Sequence, residues 1–182
     1  FQRGETRLML PFRHLALADG PVMLATVDRE LPRWCRTNGK SLQAPVHTHF
    51  LYGKFVLNWT GAPARWAFPR LEGIPVVNAV VERESQRMMR EVFTSGRFPL
   101  AFAPEGQVTY HQFHVFDFTP GASSLARLTH RDLRRLERSH TRIEILPIAL
   151  AYSYGERAPD ILKEAVTRIA GLTSTPLGRD FH

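Results

Sequence analysis

Cysteine, lysine and long apolar runs are what this sequence is short of. Cys35 is its only cysteine, which excludes an internal disulfide framework and any metal cluster ligated by cysteine alone. No stretch approaches about 18 consecutive apolar residues, so no transmembrane helix is encoded. The only lysines are Lys40, Lys54 and Lys163. There is no initiator methionine and no signal peptide. The chain opens at Phe1, just before a strand-like run, and reads as an excerpt whose true N-terminus lies upstream, with room there for an anchor. Internal repeats and low-complexity segments are absent too.

What is there fits one compact α/β domain spanning residues 1–182. A chain of 182 residues is long enough for one domain and short for two. With 43% hydrophobic and 23% charged residues, it has the means to bury a core, which argues against disorder. The formal net charge is +7, and with so few lysines nearly all of the positive charge is arginine. The planar guanidinium fork suits phosphate and carboxylate groups. An anionic partner follows: a phosphorylated small molecule, a lipid surface, an acidic protein or a nucleic acid.

Patterning divides the chain into alternating elements. Thr6 to Phe12 reads as a strand. Gly20 to Leu31 reads as a helix, with Asp19 as its cap and Pro21 in its first turn. Pro32 to His49 reads as a loop. Phe50 to Phe68 is aromatic-rich and fits helix or strand. Ile74 to Val77 is a short buried strand. Glu84 to Ser95 is a helix, with Met88–Val92 and Met89–Phe93 pairs four residues apart and Gly96 as its stop. Pro99 to Ala103 is a buried strand and Pro104 to Pro120 a loop. Gly121 to Ser139 is a basic helix and Ile143 to Tyr152 a strand. Asp160 to Ala170 is the last helix, led by Pro159 and closed by Gly171. Strands alternating with helices predict a mostly parallel central sheet flanked by helices.

Two places on this outline carry chemistry. In Arg13-His14-Leu15-Ala16-Leu17-Ala18-Asp19-Gly20, the histidine sits where a strand ends and the aspartate where a helix begins. That is the sheet edge at which open α/β folds keep their sites. A turn between them brings the carboxylate to the imidazole, fixing a proton on one ring nitrogen and leaving the other to accept one. The plainer reading is a helix cap beside an incidental histidine. In Phe102-Ala103-Pro104-Glu105-Gly106, proline ends a buried strand and glycine permits unusual backbone angles, so Glu105 is presented at the sheet edge. The plainer reading here is an ordinary strand exit.

Taken in order, the blocks resemble the glycerolipid acyltransferases of the 1-acylglycerol-3-phosphate acyltransferase type. His14 and Asp19 match the family's His-x4-Asp motif. Phe102 to Gly106 resembles its Phe-Pro-Glu-Gly block, with Ala103 inserted and Gln107-Val108 in place of the usual Thr-Arg or Ser-Arg. Phe118-Thr119-Pro120-Gly121-Ala122-Ser123-Ser124-Leu125-Ala126 matches the phrase that usually follows. Ile145-Leu146-Pro147-Ile148-Ala149 matches the apolar strand with a central proline. Gly73-Ile74-Pro75-Val76-Val77 resembles the second block, but Asn78 and Ala79 stand where the family has an arginine. Arg83, Arg87 or Arg90 would then take that role. Arg13 also replaces the asparagine that often precedes the histidine. These departures bear on the acceptor more than on the reaction class.

The resemblance implies an acyltransferase that moves a fatty acyl group from acyl-CoA or acyl-carrier protein to a hydroxyl of a lysophospholipid or related glycerolipid. His14 would be the general base and Asp19 its orienter. Arg83, Arg87, Glu105 and Gly106 would bind substrate. Neither a cofactor nor a metal is implied. Cys35, in a polar loop without a paired histidine, is not assigned as a nucleophile. Peripheral attachment to an anionic membrane surface from the cytoplasm is expected, through arginines between Arg127 and Arg142 and aromatics at Trp59, Trp66 and Phe68. The rival readings are a non-catalytic basic module binding lipid or nucleic acid, and a hydrolase using the same His–Asp pair. No nucleic-acid-binding motif accompanies the charge, so no nucleic-acid partner is expected. His47-x-His49 and His111-x-x-His114 have ligand-like spacing, but no carboxylate pattern completes either, and loop packing is the better reading.

Overall fold

The computed structural model describes residues 1–77 and 82–174. It contains two compact units, Phe1–Leu150 and Ala151–His182. Among the described residues the strands all belong to the first: β1 (Thr6–Pro11), β2 (His49–Gly53), β3 (Gly73–Val76), β4 (Leu100–Phe102) and β5 (Arg142–Ile145). They form one parallel sheet in the order β3-β2-β4-β1-β5. The expected α/β class with a parallel sheet flanked by helices is what the chain adopts.

The helices of this unit are α1 (Asp19–Ala25), α2 (Leu31–Thr37), α3 (Val56–Arg70), α4 (Arg83–Ser95) and α5 (Gly121–Arg135). Strand alternation sorts the core into two layers. Leu10, Phe12, Phe50 and Ala101 pack with Met23 and Val27 under the first helices, and Phe68 of α3 joins them. Met9, Leu100, Phe102 and Ile74 point the other way and pack with Phe93 of α4 and Leu125 of α5. The chain therefore crosses one face from β1 to β3 and the opposite face from β3 to β5. A reversal of direction in a parallel sheet whose crossovers keep one hand forces that change of face.

Several boundaries differ from the sequence expectation. The first helix does not stop at Leu31. It passes through a π-helical turn, Thr26–Glu30, and continues as α2 to Thr37. Pro32 is tolerated because it sits in the first turn of α2, where its missing N–H costs nothing. Cys35 is consequently buried on a helix rather than placed in a loop. The ambiguous aromatic stretch resolves into β2 followed by α3, kinked at Gly61, whose φ is 72°. The last strand is shorter than expected. Past Ile145 the Leu146 and Ile148 N–H groups still donate to the Met9 and Pro11 carbonyls and Phe12–Ile148 forms an isolated bridge, so Pro147, whose place on this edge strand faces away from β1, is tolerated. Gly96 ends α4 as expected, by close approach rather than by a left-handed turn: a Cβ there would lie 2.3 Å from the Val92 carbonyl oxygen.

In the second unit, α6 (Ala158–Thr173) begins with Pro159 in its first turn. It runs through Gly171 and ends at Ser174, which adopts a left-handed φ of 53°.

Candidate functional site

β1 and β4 are neighbours, yet the chain leaves them in opposite directions, from β1 toward β2 and from β4 toward β5. Divergent exits open a crevice at the carboxyl ends of parallel strands. His14 follows β1 and Glu105 follows β4, so the topology sets both at this edge.

His14 Nδ1 lies 2.9 Å from Asp19 Oδ2. An ionised carboxylate only accepts, so the imidazole proton on this side belongs to Nδ1, which leaves the Nε2 lone pair for another proton. The Ala16 N–H donates to the same Asp19 oxygen at 2.8 Å. Asp19 is fully buried, whereas the His14 side chain is one-quarter exposed. Asp19 is not the helix cap the sequence suggests. Ala18 holds that position without a side-chain cap, and Asp19 lies in the first helical turn with its carboxylate turned back toward His14. The backbone of His14 is held as firmly as its ring. Its carbonyl accepts from the Thr109 N–H at 2.7 Å and from the Thr109 hydroxyl at 3.1 Å.

Glu105 reaches the same edge but turns inward. Its side chain is fully buried and its Oε1 accepts from the Phe116 N–H at 3.1 Å. The carboxylate expected to be presented for substrate is instead turned toward the loop. Arg13 Nε stands 3.8 Å from Glu105 Oε1. The Arg13 guanidinium also donates to the carbonyls of Gln112 and His111, each at 2.6 Å, and to that of His114. Gly106 adopts a φ of +71°, and a Cβ there would sit 3.2 Å from Thr119 Cγ2. Thr119 in turn donates its N–H and its hydroxyl to the Pro104 carbonyl. Glu105 and Gly106 thus position the loop over His14. Arg13 was noted in the sequence only as an unusual neighbour of the histidine. Its role is a clamp on three carbonyls from residues about a hundred positions away, and no local pattern signals that.

The arginines of α4 are not gathered onto the histidine. Arg83 begins the helix and is exposed. Glu82, just before it, pairs with Lys54 at 2.7 Å, beyond the end of β2. This ties the start of α4 to the carboxyl edge of the sheet. Arg87 is exposed and lines an open groove of about 270 Å³ with Arg90, Glu91, Thr94 and Asp132. Arg90 is committed elsewhere: its guanidinium grips the Asp132 carboxylate in a two-pronged ion pair at 2.6–2.9 Å, joining α4 to α5. Asn78 and Ala79, which occupy the place of the family's arginine, lie outside the described residues, as does the Trp59 side chain.

The other histidines separate clearly. His47 Nδ1 lies 2.6 Å from Asp28 Oδ2, and His49 Nδ1 lies 3.1 Å from Glu72 Oε2 without forming a hydrogen bond. His111 and His114 flank the Phe116 ring. Among the described residues, no group of three or more His, Cys, Asp or Glu side chains is arranged to hold a metal ion. Of the aromatics expected at a membrane, Trp66 is exposed beneath the Arg70 guanidinium, but Phe68 packs edge-on against Phe50 and Tyr52. No helix among the described residues is long and apolar enough to cross a membrane. Neither the known protein families nor the curated proteins offer a match to this chain.

Proposed function

We propose that this chain is an acyltransferase that moves a fatty acyl group from an acyl thioester to a hydroxyl of a lysophospholipid or related glycerolipid. The observation that carries the reading is the 2.9 Å contact of His14 with a buried, backbone-braced Asp19, at the strand edge where two chain exits diverge. The resemblance of the surrounding blocks to the glycerolipid acyltransferases supplies the substrate class. His14 Nε2 takes the proton of the acceptor hydroxyl as its oxygen attacks the thioester carbonyl. The carbon–oxygen bond forms, the carbon–sulfur bond breaks as the tetrahedral adduct collapses, and the imidazolium returns its proton to the leaving thiolate. Asp19 holds the tautomer and stabilises the charged ring. A thioester is already activated, so no acyl-enzyme is required and Cys35 has no part.

The donor is acyl-CoA or acyl-carrier protein. On this reading Arg83 and Arg87, exposed on α4 though not gathered onto His14, meet the anionic head group of the acceptor. Work on such an acceptor fits peripheral attachment at the cytoplasmic side of an anionic membrane, helped by the exposed arginines of α5, Arg127, Arg131, Arg134 and Arg135. The test is direct. The protein is incubated with acyl-CoA and a panel of lysolipids, and products are identified by mass spectrometry. Acylated lysolipid that disappears in His14→Ala supports the proposal. Free fatty acid formed at the same rate with and without acceptor would identify a hydrolase instead.

A further inference from the structure

The loop from Gln107 to Pro120 is built the reverse of an ordinary surface loop. Its polar backbone is turned inward, to Arg13, to the His14 carbonyl, to Glu105 and to the Pro104 carbonyl. Four of its large apolar side chains are turned out, Phe113 being 95% exposed, Tyr110 68%, Phe118 62% and Val115 54%, while Phe116 packs between His111 and His114. Scattered exposed apolar residues are ordinary, but four on one pinned crest beside a candidate catalytic base are not. A loop fastened at four places cannot fold these side chains away. Tyr110 even takes a positive φ of 56°, an uncommon conformation for a non-glycine residue.

We infer that this crest, centred on Tyr110, Phe113, Val115 and Phe118, is the element that inserts into the surface of an anionic phospholipid bilayer. The inference rests on the proposed function, since it is the lipid acceptor that gives the crest a reason to stand beside His14. Charge favours this occupant. The chain carries +7, and Asp117 is the loop's only charged residue. The loop leads straight into the N-terminus of α5, whose first turn holds no acid to offset the positive end of its dipole. Exposed Arg83 starts α4 on the same sheet edge. Exposed aromatic side chains on a chain of net positive charge match the interfacial layer of a membrane, where rings settle at head-group depth and arginines meet phosphate. Insertion would bring the mouth at His14 to the plane from which a lysolipid hydroxyl is presented.

The test uses the whole chain and vesicles of phosphatidylcholine with phosphatidylglycerol. Partitioning is read by co-sedimentation for the wild type, His14→Ala, and the pair Phe113→Ser with Phe118→Ser. Both aromatics are exposed, so their replacement should leave the thermal melting temperature unchanged, and melting is recorded to confirm it. The expected result is a loss of vesicle binding of about tenfold or more in the double variant, with His14→Ala binding like the wild type. A cysteine placed at Phe113, carrying an environment-sensitive dye, should be quenched by brominated acyl chains. Unchanged partitioning of a folded double variant, or a dye that stays in water, overturns the inference. Loss of self-association in the double variant, with vesicle binding intact, also overturns it and marks the crest as a contact between copies. These readouts do not depend on turnover, so absent acyl transfer in the wild type would fell the proposed function and be told apart from failure of the crest.

Discussion

The described residues include two histidine–aspartate pairs, at opposite ends of one sheet, and the two differ in what surrounds them. His14 meets Asp19 at 2.9 Å beyond the carboxyl end of β1; His47 meets Asp28 at 2.6 Å ahead of the amino end of β2. By contact distance the second pair is the tighter. Its other ring nitrogen, however, is buried, makes no hydrogen bond, and lies 3.9 Å from a further carboxylate oxygen, on Glu72. His49 and Phe98 close in on the ring as well. No acceptor hydroxyl can reach that nitrogen. At His14 it is the carboxylate that is fully buried, against 28% exposure for Asp28; the two rings are similarly open, at 25% and 20%, but only in His47 is the second nitrogen buried without a partner. A bonded histidine and aspartate therefore do not define a site. What defines one is where the second nitrogen looks.

Four experiments test this contrast. The largest effect is expected for His14→Ala, which should lower acyl transfer by about 10²- to 10⁴-fold in a protein that still folds. His47→Ala, measured alongside it, should leave transfer within about twofold. Equal losses in both would erase the distinction. Next comes Asp19→Asn. An amide can donate as well as accept, so it no longer fixes the proton on Nδ1, and transfer should fall nearly as far as in His14→Ala. A pH–rate profile should show the loss in turnover rather than in acceptor binding.

A smaller effect concerns stability. Asp28→Ala removes the carboxylate facing His47 and should destabilise the fold by about 1 kcal/mol, since the aspartate is partly exposed and the contact is not fully dry. Urea denaturation followed by circular dichroism measures this, with transfer retained. The smallest and most gradual effect is with pH. Burial, reinforced by neighbouring His47, holds the His49 imidazole below its ordinary range, and Glu72 offsets this only in part. The folded protein therefore resists a proton that the unfolded chain accepts. Stability should be at its full value above about pH 6.5 and fall as the pH drops through that value toward the lower folded-state one. Denaturation midpoints at pH 7.5 and 5.5 test it. His49→Gln should flatten the slope, and a protein whose stability rises on acidification would contradict the assignment.

The carboxyl end of the sheet was far more legible than the amino end. His14 and Asp19 are five positions apart, so a single strand-to-helix turn brings them together, and the order of the surrounding motif blocks, rather than the spacing alone, singles the pair out. His47 and Asp28 are nineteen positions apart and meet only because the helix begun at Asp19 runs on through the π-helical turn that carries Asp28. The sequence pattern read that helix as ending at Leu31, because a proline follows, and could not see that Pro32 would fall in a first turn. Glu105 was located correctly and oriented wrongly. Its place at the end of β4 is a local property, but the Phe116 N–H that draws it inward belongs to a long loop that returns across the site.

Alternating hydrophobicity, helix pairs four residues apart and well-placed glycines determined by themselves that this chain makes strands and helices in turn, and that a parallel sheet would result. They also determined that a histidine and an aspartate would stand where a strand gives way to a helix. Such properties depend on neighbours along the chain, and backbone geometry translates them directly. Only the tertiary structure decided that β4 would insert between β2 and β1, bringing Glu105 beside Arg13. It alone decided that Arg13 would clamp three distant carbonyls, that Arg90 would be spent on Asp132, and that Phe113 would be left in the open. The reason is that strand order and loop return are settled by the burial of whole faces against one another. That is a global balance, and no short stretch of sequence carries it.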